Sequence, residues 1–200
     1  MNKNIHGLGS YQEKTAVKGK REQILDAALH CFITQGFHAT PTAQISREAN
    51  VSTGTLFHYF PDKNTLIDQL YLSISKEMKE TIPTNDDRSL SPAKRINDWM
   101  KRYIKWCVAN PEKALFLDQF CQSPDISDVA NRQNEEEEAW LLEAFDEAKK
   151  KGLIRDLPDE FYEMMTTQIV KGIIELINSG ATNLSEDELI DVGLEMLWRK

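Results

Sequence analysis

The chain has 200 residues, of which 40% are apolar and 28% charged, a balance that suits a folded, core-forming chain and argues against a disordered one. No apolar run approaches the ~18 residues of a membrane span, and the first 30 residues lack the apolar segment of a secretory signal. Cys31, Cys107 and Cys121 are odd in number and far apart, which excludes a disulfide framework and a Cys-x-x-Cys site and fits a reducing cytoplasm.

Charge is unevenly spread. The net value is −8, but residues 1–63 sum to +2 and the remainder to −10, and all four histidines (His6, His30, His38, His58) lie in the front part. A front that can meet a polyanion and a rear that cannot is the simplest reading.

Residues 1–18 mix Gly, Ser, Asn and Lys without periodicity and read as a flexible tail. From Gly19 the pattern is helical almost throughout. Ile24, Leu25, Ala28, Cys31 and Phe32 define a first helix over about 19–35, stopped by Gly36. Thr40-Pro41 predicts a short second helix with Thr40 as N-cap and Pro41 at its first position, with Ile45 and Ala49 inward. Asn50-Val51-Ser52 is a tight break, with Asn50 suited to a positive φ and Ser52 to capping a third helix over about 53–60.

A longer fourth helix follows Pro61-Asp62, with Leu66, Ile67, Leu70, Tyr71, Ile74 and Met78 as its stripe. Residues 83–91 read as a loop. Ser91-Pro92, Asn110-Pro111 and Ser123-Pro124 mark the next boundaries, Gly152 ends a seventh helix, Pro158 opens an eighth over about 158–178, and Ser185-x-x-Glu188 is a capping box for a ninth. The expected class is all-α with about nine helices.

Chemistry concentrates between Lys20 and Leu66. Two short helices behind an apolar one have the layout of a helix-turn-helix reader. With Leu56 and Phe60 anchoring the inside of the third helix, Thr53, Gly54, Thr55, His58 and Tyr59 fall on outer or flanking faces. Their hydroxyl, imidazole and phenol groups suit base edges and phosphates, and Gly54 permits close backbone approach. Lys63 and Thr42 are placed for phosphates.

The series Arg21-Glu-x-Ile-Leu-x-Ala-Ala-x-x-x-Phe32-x-x-x-Gly36-Phe37, then Thr42-x-x-Ile45-Ser46-x-x-Ala49-Asn50-Val51-Ser52-x-Gly54-Thr55-Leu56-Phe57-x-x-Phe60-x-x-Lys63-x-x-Leu66, resembles the N-terminal domain of the TetR-type transcriptional repressors. The resemblance implies that Thr42, Ser52, Thr53, Thr55, Phe57, His58, Tyr59 and Lys63 occupy DNA-facing or phosphate-clamping places. Two positions depart from the family pattern. Asn50 stands where the family usually has Gly, and Phe57 where it usually has a Tyr whose hydroxyl often reaches a phosphate. Lys14, Lys18, Lys20 and Arg21 form either a minor-groove arm or a solvated tail.

The resemblance also implies a division into a tail (1–18), a helix-turn-helix DNA-binding domain (19–65) and a helical ligand-binding and dimerisation domain (66–200). The last two helices are apolar over so wide a face that a two-fold four-helix interface is expected to cover them. Core packing alone accounts for most of the aromatic stripe, but Tyr103, Phe116, Phe120, Trp140 and Phe145, with Tyr103, Gln119 and Gln168 as polar contacts, also suit a cavity for a small-molecule effector. Glu135–Glu138 reads as a solvated run. No phosphate loop, dinucleotide fingerprint or nucleophile elbow occurs, and no histidine follows His58, so no enzyme, metal or cofactor is expected.

The sequence therefore reads as a homodimeric regulator, expected to be a repressor, that binds a pseudo-palindromic operator in double-stranded DNA and is released by an effector. The rival reading is an all-α protein-interaction adaptor that does not bind DNA.

Overall fold

The computed structural model describes residues 19–82, 87–121 and 128–199. Among these, nine helices and no strand occur: α1 (Lys20–Gln35), α2 (Thr42–Glu48), α3 (Thr53–Tyr59), α4 (Lys63–Thr81), α5 (Pro92–Ala109), α6 (Pro111–Cys121), α7 (Asp128–Lys150), α8 (Asp159–Ser179) and α9 (Glu186–Glu195). The tail, the arm lysines Lys14 and Lys18, and the break at Ser123-Pro124 lie outside the described residues.

Most helix ends follow the expected chemistry. Ser52, Ser91 and Ser185 accept from the amides of Thr55, Lys94 and Glu188, and Pro92 sits in the first turn of α5. Gly36 and Gly152 take positive φ at the ends of α1 and α7. The start of α2 differs. Pro41 is its N-cap, and Thr40 does not cap it. The buried Thr40 hydroxyl instead contacts the carbonyls of Cys31 and Gly36, at 3.2 and 2.8 Å. Pro158 likewise precedes α8 rather than opening it.

Two apolar cores hold the helices. The first joins α1, α2 and α3 to α4, α6 and the end of α5, around Phe32, Ile45, Leu56, Phe60, Leu66, Tyr71 and Phe116. The second lies among α5, α7, α8 and α9, around Ile96, Met100, Ile104, Phe145, Ile173 and Ile190. Trp99 and Tyr103 pack against both.

At the α8–α9 crossing, a Cβ on Gly193 would lie 2.4 Å from Cδ1 of Ile173, so any larger residue would displace the Ile173 side chain. Polar links bind the same elements. The guanidinium of buried Arg95 donates to Glu147 at 2.7 Å, tying α5 to α7, and the Trp198 indole donates to Asn97 at 2.9 Å. No helix among the described residues is long and apolar enough to cross a membrane.

Candidate nucleic-acid interface and effector site

The turn between α2 and α3 is built from local bonds. Asn50 takes φ 53°, so the chain reverses and the Val51 amide reaches the Ser46 carbonyl at 2.9 Å. Asn tolerates this left-handed backbone better than most residues, which is how it serves where glycine is usual. The hydroxyls of Ser46 and Thr53 meet at 3.2 Å and lock α2 to α3, and Ser52 caps α3 while bonding the Thr55 hydroxyl at 2.8 Å. Leu56 and Phe60 are buried at 0% and 1% exposure and fasten α3 to the first core.

The opposite face of α3 looks outward. Thr53, Gly54, Phe57, His58 and Tyr59 are exposed, and Thr55 is half-buried. His58 and Tyr59 meet edge to face, with ring centroids 5.4 Å apart. Thr42 is half-buried in the first turn of α2.

Lys63 opens α4 half-buried, its ammonium donating to the His38 carbonyl at 3.4 Å. Burial holds its pKa below the ordinary lysine value. The His38 carbonyl thus positions Lys63, a role no local pattern could reveal because the residues are 25 apart in sequence.

Arg21, expected in the basic arm, belongs to α1. It lies 5.7 Å from the Phe60 ring centroid and donates to Gln69 at 2.9 Å, so it braces the reading helix against α4.

The six residues expected around an effector do not gather in one cavity. Phe116 and Phe120 are fully buried in the first core, where Phe116 meets Phe32 and Phe37 and Phe120 stacks on Tyr71. Phe145 belongs to the second core and stacks on Tyr162. Gln168 points outward from α8 into solvent and reaches neither core.

Tyr103 and Trp140 remain together through Trp99, which stacks on Tyr103 (4° between planes) and meets Trp140 edge to face. Those three half-buried rings sit at the seam of the two cores. An open groove of about 490 Å³ lies elsewhere, between the start of α8 and the chain's end, bordered by Phe161, Met165, Met196 and Trp198.

Buried Cys31 and Cys107 act as small apolar groups. Burial pushes the Cys31 thiol up to about 12 and the Cys107 thiol up to about 11, so both stay protonated at neutral pH.

Geometry of this kind defines a helix-turn-helix head on an all-α body. Residues 24–70 match the tetR family of bacterial regulatory proteins. It is 34% identical over 80 residues to the HTH-type transcriptional regulator HbdR of Aromatoleum sp. (strain CIB), covering 40% of this chain and 35% of that protein. It is 38% identical over 63 residues to the regulator BetI of Escherichia coli, 32% of each chain. The match thus spans about a third of these curated relatives.

Solved structures extend the likeness to the body. A candidate tetR family transcription regulator from Shewanella sp. PV-4 superposes with a TM-score of 0.76 at 26% identity, over 90% of this chain and 97% of that one. AibR, solved with isovaleryl coenzyme A and operator DNA, has the same fold, with a TM-score of 0.69 at 17% identity, over 90% of this chain and 98% of its own.

Proposed function

We propose that the chain is a DNA-binding transcriptional regulator, a repressor that binds its operator as a homodimer and leaves it when an effector binds. The observation that carries this is the outward face of α3: five exposed residues, Thr53 to Tyr59 less the buried Leu56 and half-buried Thr55, on a helix pinned from behind by Leu56 and Phe60. A rigid rod with polar tips is what a major groove accepts. Thr42 and Lys63 flank it and serve as phosphate contacts.

Two such heads need a two-fold partner. On α8 the outward stripe Phe161, Met165, Gln168, Gly172 and Leu176 repeats at helical spacing, and no atom lies within 4 Å of where a Cβ on Gly172 would be. Val192 and Met196 continue the apolar surface on α9. A stripe with a glycine at its centre suits close approach of the same helix from a second copy. Half-site centres then lie about 34–36 Å apart, or a multiple of it.

The effector would act at the seam held by Trp99, Tyr103 and Trp140, since a molecule inserted there alters how the two cores meet. AibR, solved in complex with isovaleryl coenzyme A and operator DNA, supports small-molecule binding in this fold. Its effect on operator affinity is bounded by the effector's preference between the two conformations.

The test is selection of bound sequences from random duplex DNA at low salt, repeated with candidate effectors. A two-fold symmetric consensus lost on adding an effector is expected. No enrichment at any salt would favour the adaptor reading.

A further inference from the structure

On α5, Arg95, Trp99, Arg102 and Trp106 recur at helical spacing and so share one face. Two of them reach α7: Arg95 donates to Glu147 at 2.7 Å, and Trp99 meets Trp140 edge to face. Arg102, between Trp99 and Trp106 on that face, has no such match. Its Nε and Nη2 are buried, and among the described residues neither meets a hydrogen-bond acceptor. The acids of α5 and of the described side chains of α7 are engaged elsewhere. Asp98, one turn before Arg102, holds Lys94 at 2.8 Å, and Glu143 accepts from Arg88 at 2.8 Å. Asp146 faces Lys149 at 3.8 Å, and Glu147 is shared by Arg95 and Lys151. Donors of a cation withdrawn from water without an acceptor are costly to hold, and an anion from outside the chain would relieve that cost.

Nε and Nη2 form one edge of the guanidinium, with two parallel N–H bonds that match the two oxygens of a carboxylate. One guanidinium balances one negative charge, whereas a phosphate monoester carries about 1.5 to 2. A long side chain on a helix leans back over the preceding turn, which here is the turn of Trp99. Trp99 leads into the seam with Tyr103 and Trp140, three half-buried rings that suit an apolar body. We propose that this seam takes a monocarboxylic acid with an apolar body, its carboxylate held side-on by Arg102 Nε and Nη2 and its body against Trp99, Tyr103 and Trp140. This rests on the effector reading above and gives that effector its chemical class.

The experiment uses the full chain at neutral pH, with calorimetry and tryptophan fluorescence as readouts. The probes are benzoate, phenylacetate and the linear acids from butanoate to decanoate, each beside its neutral primary amide, with phenyl phosphate as the phosphate probe. At least one acid is expected to bind, and to bind about thirtyfold more tightly than its amide. Arg102→Gln should bind that acid no better than the amide. Arg102→Lys, which keeps the charge but loses the paired edge, should keep a smaller preference. Arg102→Met should raise the thermal midpoint of the free protein, because it removes a buried cation that has no acceptor.

Binding by none of the acids would overturn the proposal, as would amides that bind equally well, phenyl phosphate that outcompetes every acid, or an Arg102→Gln variant that keeps the full preference. A lowered midpoint for Arg102→Met would mean that the guanidinium is already matched within the chain, with the same result. An acid bound through Arg102 that leaves operator affinity unchanged would remove the effector reading and leave this site standing. A neutral molecule that releases the operator while no acid binds would do the reverse.

Discussion

Lys63 shows how one side chain can be held ready for a task. Its ammonium is partly withdrawn from water and leans on the His38 carbonyl, so little freedom is lost when a phosphate replaces solvent beside it. Lys63→Met should therefore weaken operator binding at all sequences about equally and lower the slope of log affinity against log salt by about 1, measured by fluorescence anisotropy across a salt series. Asn50 carries a second residue-level expectation. At φ 53°, Asn50→Ala should lower stability by about 1 kcal/mol and Asn50→Gly should be nearly neutral, as read from urea midpoints.

The Asn50 position was legible in the sequence because its cause is local: a helix must end and another begin with only four residues between them. The Lys63–His38 and Arg21–Phe60 contacts were not, because each joins residues far apart in sequence that only helix packing brings together.

Among the elements, α5 and α7 are joined by an arrangement that responds to acid. Glu147 accepts from Lys151 and from buried Arg95, each at 2.7 Å. The Lys151 bond, followed by the field of Lys151 and Arg95, holds the carboxyl below its ordinary value of 4.5. A carboxyl lowered in the folded state contributes stability above that ordinary value and loses it as pH falls through the lowered one. Glu147→Gln should thus destabilise the chain at pH 7 and flatten the acid limb of its stability profile, as measured by thermal unfolding from pH 7 to pH 3.

Helix boundaries set by Ser, Pro and Gly were readable to within a residue or so. The Thr40 exception arose because its hydroxyl had a better use at the end of α1. The aromatic stripes of α5, α6 and α7 were also readable, but periodicity says only that rings turn inward. It cannot say which ring enters which core, so Phe116 and Phe145 were grouped although they sit in different cores.

For the whole molecule, the outward apolar surface of α8 and α9 is the feature with the largest expected consequence. Met196 is 75% exposed and Val192 55%. Placing charges there, as Val192→Glu with Met196→Glu, should convert the species seen by light scattering at micromolar concentration from dimer to monomer. Each desolvated apolar side chain is worth about 1.5–3 kcal/mol. Operator affinity should fall with it, since one head alone covers half of a symmetric site. A wild-type chain already monomeric at that concentration would remove the dimer from the proposal.

The first core does not respect the line that a reader of the sequence draws at residue 65. Phe32 and Phe37 rest on Phe116 from α6, and Leu66, Leu70 and Tyr71 from α4 share one core with Leu56 and Phe60. The head is thus a roof without its own floor. Cut out as residues 19–65, it should show little helix by circular dichroism and melt without cooperativity. Transplanted onto a foreign body, it should work only if α4 and the Phe116 face of α6 travel with it.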